Sequence, residues 1–235
     1  SLDEITAIFS FEGINRSNAV VNFSGEDPID PKALWLNSQH LYALPVETLA
    51  ALLEPWAAAA GWSPAPGLLL QIAPLIQERM KTFRDFASVA DFFFTEPLPP
   101  YDPAELVPQK GDAAMADRVL DKARAVLASA EFTHDGLDQA LRAAATELGV
   151  KAGQMFQPIR VAACGRKVAP PLFETLAVLG PELTVSRIDR ALSMLRSWHE
   201  RSSTPMAQPD NNAPNAENAR PSNFVRDIIL ADIAA

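Results

Sequence analysis

Apolar residues recur every three or four positions along most of this chain, and the elements they predict are helices. The opening "SLDEITAIFS" has Ser1 and Glu4 in capping-box spacing, with Leu2, Ile5, Ile8 and Phe9 on one face. In "DPIDPKALWLNSQHLYAL" Asp30 is placed as N-cap and Pro31 as first helical residue, with Leu34, Trp35 and Leu41 at helical spacing. "LPVETLAALLEPWAAAAGW" predicts a further helix closed by Gly61. Residues 67–94 carry the helical pattern twice and end in Phe92, Phe93 and Phe94; residues 95–112 are proline-rich and predict a loop.

The second half continues in the same way. "DAAMADRVLDKARAVLASA" and "THDGLDQALRAAATELGV" predict two helices, the latter capped by Thr133. "KAGQMFQPIRVAACGRK" (151–167) predicts a helix ending near Gly165, with Pro158 and Gly165 shaping a turn between helices and Pro170 starting the next. "PPLFETLAVLG" ends on a glycine, and "TVSRIDRALSMLRSWHE" takes Thr184 as its cap. Only "NAVVNF" (18–23) looks strand-like, so the expected class is all-α. From 202 the pattern stops: "SSTPMAQPDNNAPNAENARPS" lacks the hydrophobes needed to offset chain entropy and predicts a disordered linker over 202–219. Residues 220–235 turn amphipathic again, with Phe224, Ile228, Ile229 and Ile233 on one side of a short C-terminal helix.

Composition changes this picture little. Of 235 residues 48% are hydrophobic, enough for a buried core, and no apolar run approaches the ~20 residues of a membrane span. No basic leader opens the chain, so the expected compartment is the cytoplasm; Ser1 in place of Met points to a chain cut from a longer one. Cys164, the single cysteine, excludes an internal disulfide and a cysteine-based zinc site. His40, His134 and His199 have no pairing at i+3 or i+4, so no metal site is expected. Cys164 has no base nearby in sequence to activate it and is expected to be packing.

Charge changes it more. The net charge of −9 argues against nucleic acid, but the distribution is uneven. Residues 1–60 carry a balance of −6, whereas 151–201 carry eight basic and four acidic side chains. With a Debye length of roughly 8 Å at physiological salt, a ligand feels the local patch before the total.

Several stretches together resemble one family. "SLDEITAIFSFEGINRSNAVVNF…DPKALWLNSQHLYAL" resembles the stem-contact region of bacterial glutamate–tRNA ligases. "LIQERMKTFRDFASVADFFFTE" is similar to the helix pair of their anticodon-binding region. "LGVKAGQMFQPIRVAACGRKVAPPLFETLAVLG" is similar to their closing motif. The resemblance covers about residues 1–196, and the three motifs occur in family order. "RPSNFVRDIILADIA" (220–234) resembles the opening of glutamine–tRNA ligases. The His-x-Gly-His and Lys-x-Ser-Lys-type signatures of the class I catalytic half do not occur, so the resemblance implies no catalytic residue here. It assigns ATP and Mg to another part of the parent enzyme. Three departures stand out: the segment 22–31 is longer than usual, Cys164 stands where the family often has Thr, and Ala169 stands where a hydroxyl is common.

The resemblance implies a helical cage in five regions: 1–60 stem contact, 61–130 and 131–201 anticodon-binding subdomains, 202–219 linker, and 220–235 a glutamine-ligase-like start. It implies a tRNA partner of glutamate type with C favoured at the third anticodon base, and neither DNA nor a membrane. Arg79 falls at the position that discriminates this base, and Arg160 and Leu172 fall near the other anticodon bases. Asn37, Arg166 and Lys167 are implied contacts to the tRNA backbone. Against these, Arg79 reads equally as a surface arginine pairing near Glu78 or Asp85. Trp35 and Phe92–Phe94 read as core, and Arg187, Arg190 and Arg196 as a solvated helix face. Two alternatives stay open beside tRNA recognition: a helical protein-interaction module, and a tRNA-recruiting appendage fused to a glutamine–tRNA ligase body.

Overall fold

The computed structural model describes residues 6, 7 and 30–203. Most of the opening helix, the strand-like stretch at 18–23, most of the linker and the segment 220–235 lie outside these. Nine α-helices occur among the described residues, and no strand. They are α1 (Pro31–Tyr42), α2 (Val46–Ala59), α3 (Leu68–Ile76), α4 (Phe86–Ala90), α5 (Ala113–Leu127), α6 (His134–Leu148), α7 (Ala152–Cys164), α8 (Leu172–Leu179) and α9 (Pro181–Ser203). The protein is all-α, as the periodicity requires. The described residues up to Trp198 form one compact unit, and those from His199 belong to a second.

Local chemistry explains the boundaries. Asp30 caps α1 by accepting the Lys32 amide at 2.7 Å, and Pro31 opens the helix. Asp112 and Thr133 cap α5 and α6 in the same way. α7 ends at Gly165, whose φ of 71° is the left-handed conformation that glycine adopts without strain. Two expectations fail here. Pro158 lies inside α7, not in a turn; it is buried and costs the helix one hydrogen bond. α9 starts at Pro181, three residues ahead of the expected cap Thr184, which is buried in the first turn. A proline at the first position needs no side-chain cap, because its missing N–H is one the helix could not pair anyway.

The helical pattern of 67–94 is interrupted. α3 gives way to a 3-10 turn at Gln77–Arg79, and Met80 is extended (φ −97°, ψ 131°). A second 3-10 turn at Phe83–Asp85 then leads into α4. The apolar spacing persists because Ile76, Met80 and Phe86 all point into one core even though the backbone between them is not a continuous helix.

Two apolar clusters fill the unit. The first gathers Leu41, Leu49, Leu53, Ile72, Ile76, Met80 and Phe86 from α1 to α4. The second gathers Leu120, Leu141, Met155, Ile159, Leu172, Leu176, Ile188 and Leu195 from α5 to α9. Each such side chain contributes about 1.5–3 kcal/mol on burial. Phe92 is buried in the second cluster, Phe93 packs against both and Phe94 against the first, so this aromatic run is core. Trp35 is not: it is 63% exposed and Leu36 is 53% exposed. α1 turns Leu41 and Ser38 inward instead.

Arg187 overturns a further expectation. It is 2% exposed, not on a solvated face. Its guanidinium donates to the carbonyls of Ala163 (2.6 Å), Phe92 (2.9 Å) and Thr95 (3.0 Å) and to the Glu96 carboxylate (3.0 Å). Cys164 is buried beside it, and desolvation pushes its thiol up to about 12, against a smaller opposing pull from Arg187, Arg160 and Arg166.

Arg187→Met should destabilise the fold by about 3 kcal/mol or more in urea unfolding, since it strands three backbone carbonyls, while Glu96 keeps its pair with Arg190. Arg187→Lys should recover little, because one ammonium cannot reach all four acceptors; full recovery would show that charge alone matters. Alkali tests the thiol. An unfolded cysteine loses its proton near about 8.5, so the stability from keeping Cys164 protonated is complete below that pH and lost as pH rises towards the folded value. Cys164→Ala should therefore flatten the alkaline fall in unfolding midpoint above that pH. Part of the fall should remain, because burial also raises Tyr101 to about 12.

Candidate nucleic-acid interface

The segment 77–85 is strapped onto α1 by side chains that the hydrophobic pattern does not reveal. The Gln77 amide donates to the carbonyls of Leu41 (2.8 Å) and Leu44 (2.9 Å), which lie at the end of α1 and just beyond it. Tyr42 donates its hydroxyl hydrogen to the Glu78 carbonyl at 2.9 Å, and the Asn37 amide donates to the Lys81 carbonyl. Asp85 accepts from the Lys81 and Thr82 amides, both at 2.8 Å. With Met80 buried beneath, the backbone on either side of Arg79 is fixed.

Arg79 itself is exposed and makes no hydrogen bond or ion pair among the described residues. The carboxylate of Asp85 is occupied by backbone amides, so the surface pairing near it does not form. Lys81 and Arg84 flank the same turn. Beside it a groove of about 430 Å³ is lined by Ala33, Leu34, Asn37, Trp56, Thr82, Phe83 and Arg84. Trp56 stacks on Phe83 there at a centroid distance of 6.0 Å. Asn37, read as a backbone contact, commits its amide to the strap.

The other site residues lie along α7 and α8. Arg160 is half-buried on α7, and its Nε is buried with no partner among the described residues. Leu172 opens α8 but is only 4% exposed, in the second core. Its side chain is closed to a base, and what it presents is a first-turn backbone N–H, one of those a helix leaves unpaired. Lys167 is exposed. Arg166 is committed internally: it pairs with Asp91, donates to the Ser88 carbonyl, and lies 5.6 Å from the centre of the Phe92 ring. At the start of α7 a recess of about 500 Å³ is lined by Gln109, Lys110, Lys151, Gly153, Gln154 and Gln157.

Half of the basic side chains of 151–201 are therefore taken up within the molecule. Arg187 and Arg190 pair with Glu96, Arg196 with Asp117, and Arg166 with Asp91. Their carboxylates come from residues 91–117, which a count along the chain keeps separate. Lys151, Arg160, Lys167 and Arg201 are left without an ion pair among the described residues. Sequence reasoning misses Gln77 and Asp85, since a lone polar residue in a helical pattern signals nothing about which backbone groups it will satisfy.

Comparisons with known proteins bear on the family and the fold. A family model described as an anticodon binding domain matches residues 48–192. The glutamate–tRNA ligase of Solibacter usitatus (strain Ellin6076) is 60% identical over 196 residues, which is 83% of this chain and 40% of that protein. The glutamate–tRNA ligase of Roseiflexus castenholzii (strain DSM 13941 / HLO8) is 44% identical over 206 residues, 85% of this chain and 39% of the relative. The chain thus spans about 40% of the length of the curated relatives it matches. A crystal structure of a glutamate tRNA ligase from Elizabethkingia meningosepticum, in complex with its amino acid, superposes with a TM-score of 0.68. At 22% identity, over 83% of this chain and 37% of that one, it shows the fold alone. The matched region takes in the strapped turn, most of both cores and the helices bearing Arg160 and Leu172, and the chain belongs to the anticodon-binding-domain family.

Proposed function

We propose that this chain recognises the anticodon of glutamate tRNA on behalf of a glutamate–tRNA ligase. The observation that carries the reading is Arg79, an exposed arginine without an ion pair on a turn whose backbone is held from both sides. Single-stranded bases are read on their Watson–Crick edges. Cytosine offers acceptors at N3 and O2, and guanine offers donors at N1 and N2. A guanidinium can only donate, so it pairs with C and opposes G. Glutamate and glutamine anticodons differ by that change at the third base.

Arg160 is the second reader in this proposal. Its Nε is closed to water and so to a base as well, and what the half-buried side chain can present to a ligand is the remainder of the guanidinium. Lys167, with Lys110 and Lys151 at the recess beside α7, is placed to meet phosphates. ATP and Mg belong to the parent reaction, and among the described residues no group of three His, Cys, Asp or Glu converges to hold a metal. No described helix is long and apolar enough to cross a membrane. The motif at 220–234 supports the finer proposal that the parent joins this module to a glutamine–tRNA ligase body, where it would raise the local concentration of tRNA. A protein-interaction module is the second reading, favoured by the exposed Trp35 and Leu36 on α1.

Filter binding to glutamate tRNA, and to the same tRNA with C changed to G at the third anticodon base, separates these readings. The wild-type chain should prefer C by about tenfold, within the ~1–3 kcal/mol of a base-edge contact. Arg79→Gln should lose most of that preference while unfolding at the same urea concentration as wild type. Affinity should fall as salt rises. Binding of neither tRNA above an unrelated RNA at low salt would sink the anticodon reading in favour of the protein-interaction module.

A further inference from the structure

We propose that Arg166 acts in tRNA reading as a positioning residue: it pins the end of the Arg160-bearing helix to the Arg79-bearing core and does not touch RNA itself. The inference rests on the anticodon reading above and names what holds its two readers in register. Arg79 extends from the first core, whose last member is Ala90, and Arg160 lies on α7 in the second. The seam between the cores is apolar, with Phe93 packed against both and Val178 of α8 packed against the first. Apolar contact holds two bodies together but is non-directional, so it leaves their relative angle poorly set.

Arg166 supplies the direction. Gly165, with its left-handed backbone, ends α7 and turns the chain, and Arg166 is the next residue. From there one guanidinium nitrogen donates to the carbonyl of Ser88, on α4 of the first core, and another pairs with Asp91 just beyond it. The same carboxylate oxygen of Asp91 accepts the Phe92 amide at 2.9 Å, so the acceptor is itself held in place. Two fixed acceptors on a planar donor set both distance and angle, which a lysine could not do. A residue so engaged would have to break this clamp before it could reach a phosphate.

The test uses the full 235-residue chain and the variants Arg166→Met, Asp91→Asn and their combination. The Asp91→Asn change keeps a side-chain oxygen to accept the Phe92 amide but removes the charge that holds the Arg166 guanidinium, so the charge-assisted arm of the clamp is lost. Spin labels at Glu54→Cys on α2 and Arg118→Cys on α5, both exposed, report the relative placement of the cores without RNA. The native Cys164 is 2% exposed and does not compete for label. Both single variants should broaden the label distance distribution and weaken binding of glutamate tRNA by a similar factor, roughly threefold to tenfold. The double variant should be no worse than either single, as expected of two residues acting as one unit. The slope of log affinity against log salt should stay unchanged.

A phosphate contact predicts the reverse. Arg166→Met would then reduce the salt slope by about 0.7–0.9, while Asp91→Asn, by freeing the guanidinium, would leave affinity unchanged or raise it. That pair of results overturns the inference, and so does an unchanged distance distribution in both variants. If the wild-type chain binds no tRNA, the anticodon reading fails by itself. The label distances then decide alone whether Arg166 pins the two cores.

Discussion

The guanidinium of Arg187 is the constraint on which the rest of the second half depends. A charge buried this deeply would be prohibitive if unpaired, so every acceptor around it must be where it is. Three of the four are backbone or carboxylate oxygens of residues 92–96, the segment that leaves the first core, and the fourth is Ala163 at the end of α7. One side chain from α9 thus fixes the connection out of the first core, the helix carrying Arg160, and its own helix. An apolar side chain of similar volume could fill that space, but it could not specify which carbonyl lies against which helix. Specification of a register is the best-attested use of a buried charge, and here the register is that of the helix carrying Arg160.

Pairing of charges governs the surface as well. Basic side chains of the C-terminal third meet acidic ones from residues 91–117, and these pairs leave only scattered cations for a ligand. Exposed pairs of this type contribute little stability, in the range of a few tenths to about 1 kcal/mol. Their larger effect is to remove a broad positive field. An acidic protein can then still read RNA, because recognition falls to a few cations in fixed places. Non-specific attraction to phosphate is suppressed at the same time. In the proposed function those places are Arg79 on its strapped turn and Arg160 on α7.

Much of this fold is legible in the sequence, and the parts that are not share a cause. Caps and stops act within a few residues, so Asp30, Pro31, Thr133 and Gly165 mark their helices correctly. Burial of a polar residue is decided by partners far away in sequence. Arg187 sits in what looks like a polar helix face, and only Phe92, Thr95 and Glu96, more than ninety residues earlier, reveal it as core. Trp35 fails in the opposite sense. Its size suggests core, but α1 buries a face made of Ser38 and Leu41, and periodicity cannot say which of two apolar-bearing faces a short helix turns inward. Proline usually ends a helix, which argues for a turn at Pro158; packing of its neighbours Met155 and Ile159 in the second core outweighs the one lost hydrogen bond. The motifs locate Arg79, Arg160 and Leu172, yet only the packing shows Leu172 closed to a base and Arg166 already engaged.

The strap around Arg79 also bears on how discrimination between two bases would arise. Fixing the backbone leaves the arginine side chain its own rotamer freedom, about 2 kcal/mol that must be given up on binding any base. Gain from the cognate cytosine is partly offset by that loss, so attraction alone would make a weak discriminator. Rejection is not weakened in this way. A guanine held in the same place aims its donors at a group that can only donate, and the polar groups withdrawn from water on both sides are left unpaired. A turn free to move could swing the arginine aside and let water fill the gap. A turn tied by Gln77, Tyr42 and Asp85 narrows that escape, so its rigidity serves exclusion of the wrong base more than affinity for the right one.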